Sequence, residues 1–339
     1  MPDELPLVND ASAWMGADFR NDDTWIYRLA ADEVDELASA ARRCLQRGLQ
    51  VTEIHPDDFP LPMLASRINS WSGEINYGRG FLLVRGLPQG LYTDEVVRTM
   101  FWGIGLHLGV PVSQNSYGDM FGDVYDQGVR MGTGRVRGYR TNQLLKFHTD
   151  RCDIVGLMCL RPAKSGGLSS IVSSTRVYNE IVKHNPEYLR PLMNGYININ
   201  VEEGDELSVF RVPVYSLRDG VVSCRLLRNT IDNACKLGHA KLDERETAAL
   251  DCMDRLVNRD DMRLDMTLEA GDMQFINNYT TLHARTAFED FPEPGRRRHL
   301  VRLWLRSFGP RRTRREELFQ DYDGVEKTLD RKSAVSSFV

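Results

Sequence analysis

The residues of this chain best suited to hold a metal ion are a histidine and an aspartate two positions apart, in Phe147-His148-Thr149-Asp150. The segment leading to them reads as extended, and in a strand residues i and i+2 point to the same face. His148 and Asp150 then project together, with Thr149 on the other side. An imidazole and a carboxylate on one face supply two of the three ligands of a facial metal site. A structural histidine beside an acid has the same spacing, so the pair calls for a third ligand. His283 offers one far downstream. There Gly271-Asp272 makes a turn, Met273–Ile276 a strand and Asn277-Asn278 another turn, and His283 follows at the start of the next extended piece.

The run from Arg296 to Leu305 adds a cation. On a strand, Leu300, Arg302 and Trp304 share one face, and Val301, Leu303 and Leu305 share the other. An arginine among apolar neighbours on a core strand needs an anionic partner, because a buried charge must be paired. Its guanidinium fork suits a carboxylate. That carboxylate can belong to a bound small molecule or to an internal Asp or Glu, and the residues alone leave both open.

The elements that must position these groups are mostly short strands. Gly80–Pro88 reads as a strand closed by a turn. Residues 154–160, 169–173, 196–201, 209–215, 221–227, 264–268, 273–277 and 300–305 are short, apolar and separated by turn residues. Strands of this kind at modest spacing predict a sandwich or barrel. Helices are predicted over 32–47, 93–108 with Thr93 as cap, 176–193 with a break at Pro186, and 243–258. They do not alternate one for one with strands, which argues against a doubly wound parallel sheet. The expectation is a mainly β fold with peripheral helices, a double-stranded β-helix (jelly roll). It forms a single domain over 1–339, with a core about 75–306, a helical N-terminal region 25–70 and a tail 307–339.

Lys and Arg number 43 against 48 Asp and Glu, a formal net charge of −5. A mildly acidic chain is a poor binder of nucleic acid, whose affinity rests on neutralising phosphates. Six cysteines with no CxxC pair read as reduced thiols of a cytoplasmic protein. The first ten residues lack the apolar core of a signal peptide, and no stretch approaches a membrane span. The oligomeric state is not legible.

Beyond the ligand pattern, FHTD, GDMQFINNYTTLHARTAFED and RRRHLVRLWLR resemble the taurine dioxygenase-like (TauD/TfdA) family of iron(II)- and 2-oxoglutarate-dependent oxygenases. RGYRTNQLLKFHTD, GLMCLRPAKSGGLSSIVSS and the GFLLVRGLP strand extend the resemblance over roughly 75–306. The resemblance implies that His148, Asp150 and His283 are the metal ligands. It implies that Arg302 pairs with the distal carboxylate of 2-oxoglutarate. Arg298 matches a neighbouring basic position, and Ser169 falls where the family has a Thr or Ser that hydrogen-bonds the co-substrate. The implied cofactors are Fe(II), 2-oxoglutarate and O2. The implied reaction is oxidation, by default hydroxylation, of a C–H bond in a small molecule, with 2-oxoglutarate decarboxylated to succinate. Desaturation and cyclisation use the same oxidant. A carboxylate in the ligand set disfavours halogenation.

A second reading is a metal hydrolase or isomerase on a similar barrel, without 2-oxoglutarate. Such an enzyme has no use for Arg302. The glycines of Gly132-Thr133-Gly134-Arg135-Val136-Arg137-Gly138 have one residue too many for a dinucleotide loop and lack the flanking strand and helix, so the segment reads as a loop beside the site. Arg311–Arg315 reads as solvated surface. Tyr139, Asn142, Leu144, Arg211, Tyr215 and Asn277 are candidates to line a substrate pocket, and the substrate itself is not legible.

Overall fold

The computed structural model describes residues 5–115, 117–130, 138–200, 208–218 and 220–308. The Gly132–Arg137 stretch of the glycine-rich loop, Arg311–Arg315 and nearly all of the tail lie outside the described residues.

Period-two alternation in the strands sorts side chains between compartments. Leu82 and Val84 face one core, as do Phe275, Val301 and Leu303. Their neighbours Phe81, Leu83, Ile276, Leu300 and Trp304 face another. These strands form a seven-stranded sheet in the order Ile26–Arg28, Phe81–Arg85, Met273–Asn277, Ile154–Arg161, His299–Ser307, Gly109–Pro111, and Phe121–Val124 also pairs with His299–Ser307. Its pairings are antiparallel except for Ile26–Arg28 on Phe81–Arg85. A four-stranded antiparallel sheet lies opposite, ordered Arg263–Met266, Ser169–Ser173, Thr281–Arg285, Leu145–His148. Ile171, Leu264 and Met266 of this sheet close the core between the two.

Helices cover both outer faces. On the large sheet lie α1 (Ala31–Gln46), α2 (Ala65–Tyr77) and α3 (Asp94–Leu108). In α1, Val34, Leu37, Ala38 and Ala41 are buried, the stripe the spacing predicts. Helix α3 starts at Thr93, whose hydroxyl accepts from the Val96 N–H. It reaches its neighbours closely through two glycines. A Cβ on Gly103 would sit 2.2 Å from the Phe59 ring, and one on Gly105 would sit 2.3 Å from Leu303. The small sheet sends Phe147, Val172 and Leu282 outward against α4 (Ser174–His184), α5 (Leu189–Asn194), α6 (Arg228–Lys236) and α7 (Glu244–Val257). The fold is mainly β with peripheral helices, as expected.

Three local differences have physical reasons. The helix expected over 176–193 is two helices, α4 and α5, with a 3-10 turn at Pro186–Tyr188 between them. The strand expected over 209–215 ends at Val212 and resumes at Tyr215, because Pro213 has no N–H for the ladder. Helices α2 and α6 were not expected. In α2 only Ile68, Trp71 and Ile75 form an apolar stripe among polar residues, and no side chain caps its start. Among the described residues, no helix is long and apolar enough to cross a membrane.

Candidate metal centre and co-substrate pocket

The small sheet sets the histidines face to face. His283 stands opposite His148 in register. Their ring centroids are 4.2 Å apart. Asp150 follows the end of the Leu145–His148 strand, and its Oδ2 lies 3.8 Å from His283 Nε2. One ligand atom from each of His148, Asp150 and His283 falls within 4.8 Å of the others. Thr149 turns away, its N–H donating to the Leu226 carbonyl at 2.9 Å.

Each group is held in a state that suits a divalent cation. The Nδ1 of His148 lies 2.8 Å from the Lys146 carbonyl. Donation there leaves the Nε2 lone pair for a metal. Burial, with His148 beside it, pushes the pKa of His283 down to about 3, so its imidazole stays neutral. Burial alone would raise the Asp150 carboxyl. The Arg302 guanidinium and the two imidazoles outweigh it and hold the carboxyl at about 2. Two imidazoles and one carboxylate on one face are the donor set of a non-haem iron(II) site with open positions, and the residues fit that ion.

Asp150 is fixed from several directions. Trp304 donates its Nε1–H to Oδ2 at 2.9 Å, and Arg302 Nη1 lies 3.3 Å from the same oxygen. Asp150 N–H donates to Asn278 Oδ1 at 2.8 Å, while its carbonyl accepts from Asn278 and Arg225. Arg302 in turn is gripped by Gln114. Its Nε donates to Gln114 Oε1 at 2.8 Å, and Gln114 Nε2 donates to the Arg302 carbonyl at 2.8 Å. The Tyr139 and Trp304 rings lie 4.9 and 4.6 Å from the guanidinium. Of the two partners the sequence left open for Arg302, an internal acid is present, and it is the candidate ligand itself.

The cavity beside the histidines is lined by Tyr139, Ser169, Arg285, Arg298, Leu300 and Arg302, among others. Arg298 is 5% exposed, and its Nη1 is buried with no hydrogen-bond partner. Burial lowers its pKa to about 10. Arg285 lies two residues beyond His283, on the same strand face. Its Nη2 donates to the carbonyls of Thr141 and Gln143, but Nε and Nη1 are buried without partners. Burial, with Arg298 nearby, lowers its pKa to about 9. Ser169 stands opposite Arg285 in register and donates its hydroxyl to Gln274 Oε1 at 3.0 Å. A buried polar atom without a partner costs about 1–3 kcal/mol, more when charged. These guanidiniums therefore fit an anionic ligand.

Sequence reasoning missed Arg285, although its spacing from His283 was the available signal. It also missed Gln114, which no local pattern connects to Arg302. Of the six candidates for a substrate pocket, Tyr139 lines this cavity and Leu144 lines a neighbouring one. The Tyr215 hydroxyl donates instead to the Ser174 carbonyl at 2.9 Å, Asn277 Nδ2 to the Ile75 carbonyl at 3.1 Å and Arg211 Nη1 to the Gly195 carbonyl at 2.7 Å. The Asn142 carbonyl accepts from the Phe288 N–H.

Two facing sheets, a cluster of two histidines and a carboxylate between them, and buried arginines beside it define an iron- and 2-oxoglutarate-dependent oxygenase. More narrowly, the chain belongs to the taurine catabolism dioxygenase TauD, TfdA family, which it matches over residues 46–304. It is 33% identical over 306 residues to FR-33289 synthase of Streptomyces rubellomurinus, covering 88% of this chain and 90% of the relative. It is 26% identical over 307 residues to the taurine hydroxylase-like protein SAT17 of Stachybotrys chartarum, covering 87% and 79%. An asparagine oxygenase solved with Fe(II), 3-hydroxyasparagine and succinate shares the fold, with TM-score 0.65 and 17% identity, covering 83% of this chain and 93% of that one. The oxygenase OrfP solved with Fe and alpha-ketoglutaric acid does so at TM-score 0.62 and 16% identity, covering 85% and 95%. The protein is a dioxygenase whose cofactors are iron(II), 2-oxoglutarate and O2.

Proposed function

We propose that His148, Asp150 and His283 hold the iron, that Arg298 with Ser169 takes the distal carboxylate of 2-oxoglutarate, and that the enzyme hydroxylates a small organic molecule. The observation that carries this reading is the buried Nη1 of Arg298, without a partner, in the cavity that the two histidines line. The sequence resemblance implied Arg302 for the anchoring role. The proposal moves that role to Arg298, because Arg302 already serves Asp150 and Gln114. A metal hydrolase would have no use for an unpaired guanidinium here.

When bound, the iron with 2-oxoglutarate and oxygen supplies an oxidant able to take hydrogen from a C–H bond. The chain's own work is to orient and to exclude water. Trp304 and Arg302 fix the Asp150 carboxylate beside His283, and the Lys146 carbonyl fixes the tautomer of His148. Hydroxylation is the favoured outcome, and the hydroxylated amino acid bound in the asparagine oxygenase supports a small-molecule substrate of similar scale. The reading takes the chain as one oxygenase domain working in the cytoplasm, as its sparse cysteines suggest, with neither nucleic acid nor membrane as partner.

The test is anaerobic titration of the iron(II) protein with 2-oxoglutarate, followed by its chelate absorption. Arg298→Gln should weaken binding by roughly tens- to a thousandfold, the cost of unpairing a charge-assisted contact. Unchanged affinity would overturn the anchor. His283→Ala should abolish stoichiometric iron binding, and retention of one tight equivalent would overturn the ligand set. A small-molecule screen read by succinate release then identifies the substrate.

A further inference from the structure

Arg285 is one of three buried arginines lining the cavity, and unlike Arg298 and Arg302 it is left unused by the activity as described. It is 6% exposed. Its Nε and Nη1 are buried without hydrogen-bond partners, and among the described residues no carboxylate makes an ion pair with it. Its place in the sheet indicates what it faces. Arg285 is paired in register with Ser169, while His283 is paired with Ile171 one step along the same strand. Two strand residues separate the level of the metal ligands from the level of Arg285, about 7 Å. That is the reach of an extended five-carbon diacid. Arg298 lies at the same end, since a Cβ on Gly167, just ahead of Ser169, would be 3.1 Å from its Nε. Arg285 and Arg298 also share one aromatic neighbour, with the Phe288 ring 4.8 Å from the first guanidinium and 4.9 Å from the second.

We propose that Arg285 is a second guanidinium for the distal carboxylate of 2-oxoglutarate, forming with Arg298 and Ser169 a two-arginine clamp that selects a five-carbon 2-oxo diacid. The inference rests on the reading of Arg298 given above. Nη1 of Arg298 has no hydrogen-bond partner, whereas Arg285 is tethered by Nη2 to the carbonyls of Thr141 and Gln143. The tether fixes the guanidinium plane and leaves Nε and Nη1 as the two donors for a ligand. Nη1 lies on the Cδ side of the guanidinium and Nε–H points to the other, so Arg285 offers one carboxylate a single charge-assisted N–H contact. The clamp thereby ties co-substrate binding to the 141–143 segment, which leads directly into the Leu145–His148 strand.

The experiment compares two ligands on the anaerobic iron(II) protein. One is 2-oxoglutarate. The other is 2-oxopentanoate, which has the same chain length and metal-binding end but a methyl group in place of the distal carboxylate. Arg285→Gln should weaken 2-oxoglutarate on the order of tenfold to a hundredfold, the worth of a hydrogen bond to a charged group. It should leave the affinity for 2-oxopentanoate unchanged. Equal weakening of both ligands would mean that Arg285 only supports the 141–143 segment, and weakening of neither would mean that it does not meet the carboxylate. Either result overturns the proposal. If the glutamine variant does not fold, Arg285→Lys keeps the charge and loses the tethered guanidinium, and the same ratio of affinities decides. Arg298→Gln run in parallel separates the two claims. Loss in the Arg298 variant alone refutes the clamp, and loss in neither refutes the anchor on which it rests.

Discussion

Replacing Trp304 with Phe removes one hydrogen bond from the candidate iron site and leaves every proposed ligand in place. Asp150 is buried, and its Oδ2 has two donors. Trp304 Nε1 at 2.9 Å is at the usual N–H···O distance, whereas Arg302 Nη1 at 3.3 Å is beyond it. Trp304 is thus the better-formed restraint. A hydrogen bond to a charged group is worth about 1.5–3 kcal/mol net, and loss of an outer partner of a metal ligand costs about 10–100-fold in metal affinity. Trp304→Phe should therefore bind iron(II), or cobalt(II) as an air-stable probe, about 10–100-fold more weakly. The assay is calorimetric titration with the metal. Trp304 also packs between the sheets at 4% exposure, so the variant will melt lower as well. The two effects separate, because a titration well below the melting temperature samples only folded protein. A metal affinity within about twofold of wild type in folded Trp304→Phe would refute the claim that the indole fixes the carboxylate.

Three further outcomes follow from the packing and charges around the site. Arg302→Gln should lower metal affinity through Asp150, and at saturating metal should weaken 2-oxoglutarate less than Arg298→Gln does. The reverse order in the titrations would return the anchoring role to Arg302. Burial would raise the Asp123 carboxyl, but His299 and Arg98, donating at 2.7 and 2.6 Å, hold it well below its ordinary 3.8. A depressed folded pKa adds stability above the unfolded value that is lost as pH falls through the folded one. The stability gap between wild type and Asp123→Asn, from urea unfolding, should therefore shrink as pH drops below about 4, and a pH-independent gap would contradict the pairing. Gly103→Ala forces a methyl to within 2.2 Å of the Phe59 ring and should destabilise by about 1–3 kcal/mol in the same unfolding assay. An unchanged midpoint would show that α3 can shift away from Phe59.

Much of the fold was legible because burial on both faces of the large sheet leaves a period-two record. Residues 169–173 and 273–277 were read to the residue, since each run is bounded by turn formers and buried throughout. Elements whose stability comes from elsewhere left a weaker record. Helix α2 buries Ile68, Trp71 and Ile75 under a sheet supplied mostly by residues far along the chain, and its own sequence has Gly73 inside it and no capping side chain. Its helicity comes from tertiary packing rather than propensity. The break at Pro213 was legible in principle, because a missing N–H is a local property, but the apolar residues on either side masked it.

The site was legible in composition and less so in its internal assignment, for a geometric reason. Arg298, Leu300 and Arg302 would fall on one face of a regular strand, so alternation alone cannot say which arginine meets a ligand and which meets the protein. The decision depends on residues remote in sequence. Gln114 lies 188 positions from Arg302 and bonds both its side chain and its carbonyl. Gln114 is itself fixed by the Met120 carbonyl at 2.9 Å. That grip turns the Arg302 guanidinium toward Asp150. A register irregularity between His299 and Leu300 against the Ile154–Arg161 strand separates Arg298 from the regular ladder that carries Arg302. One arginine is thereby committed to the Asp150 carboxylate, and the other enters the cavity with a donor to spare. Local pattern identifies a strand that carries cations into the core, but the role of each cation is set by what the rest of the fold has already paired.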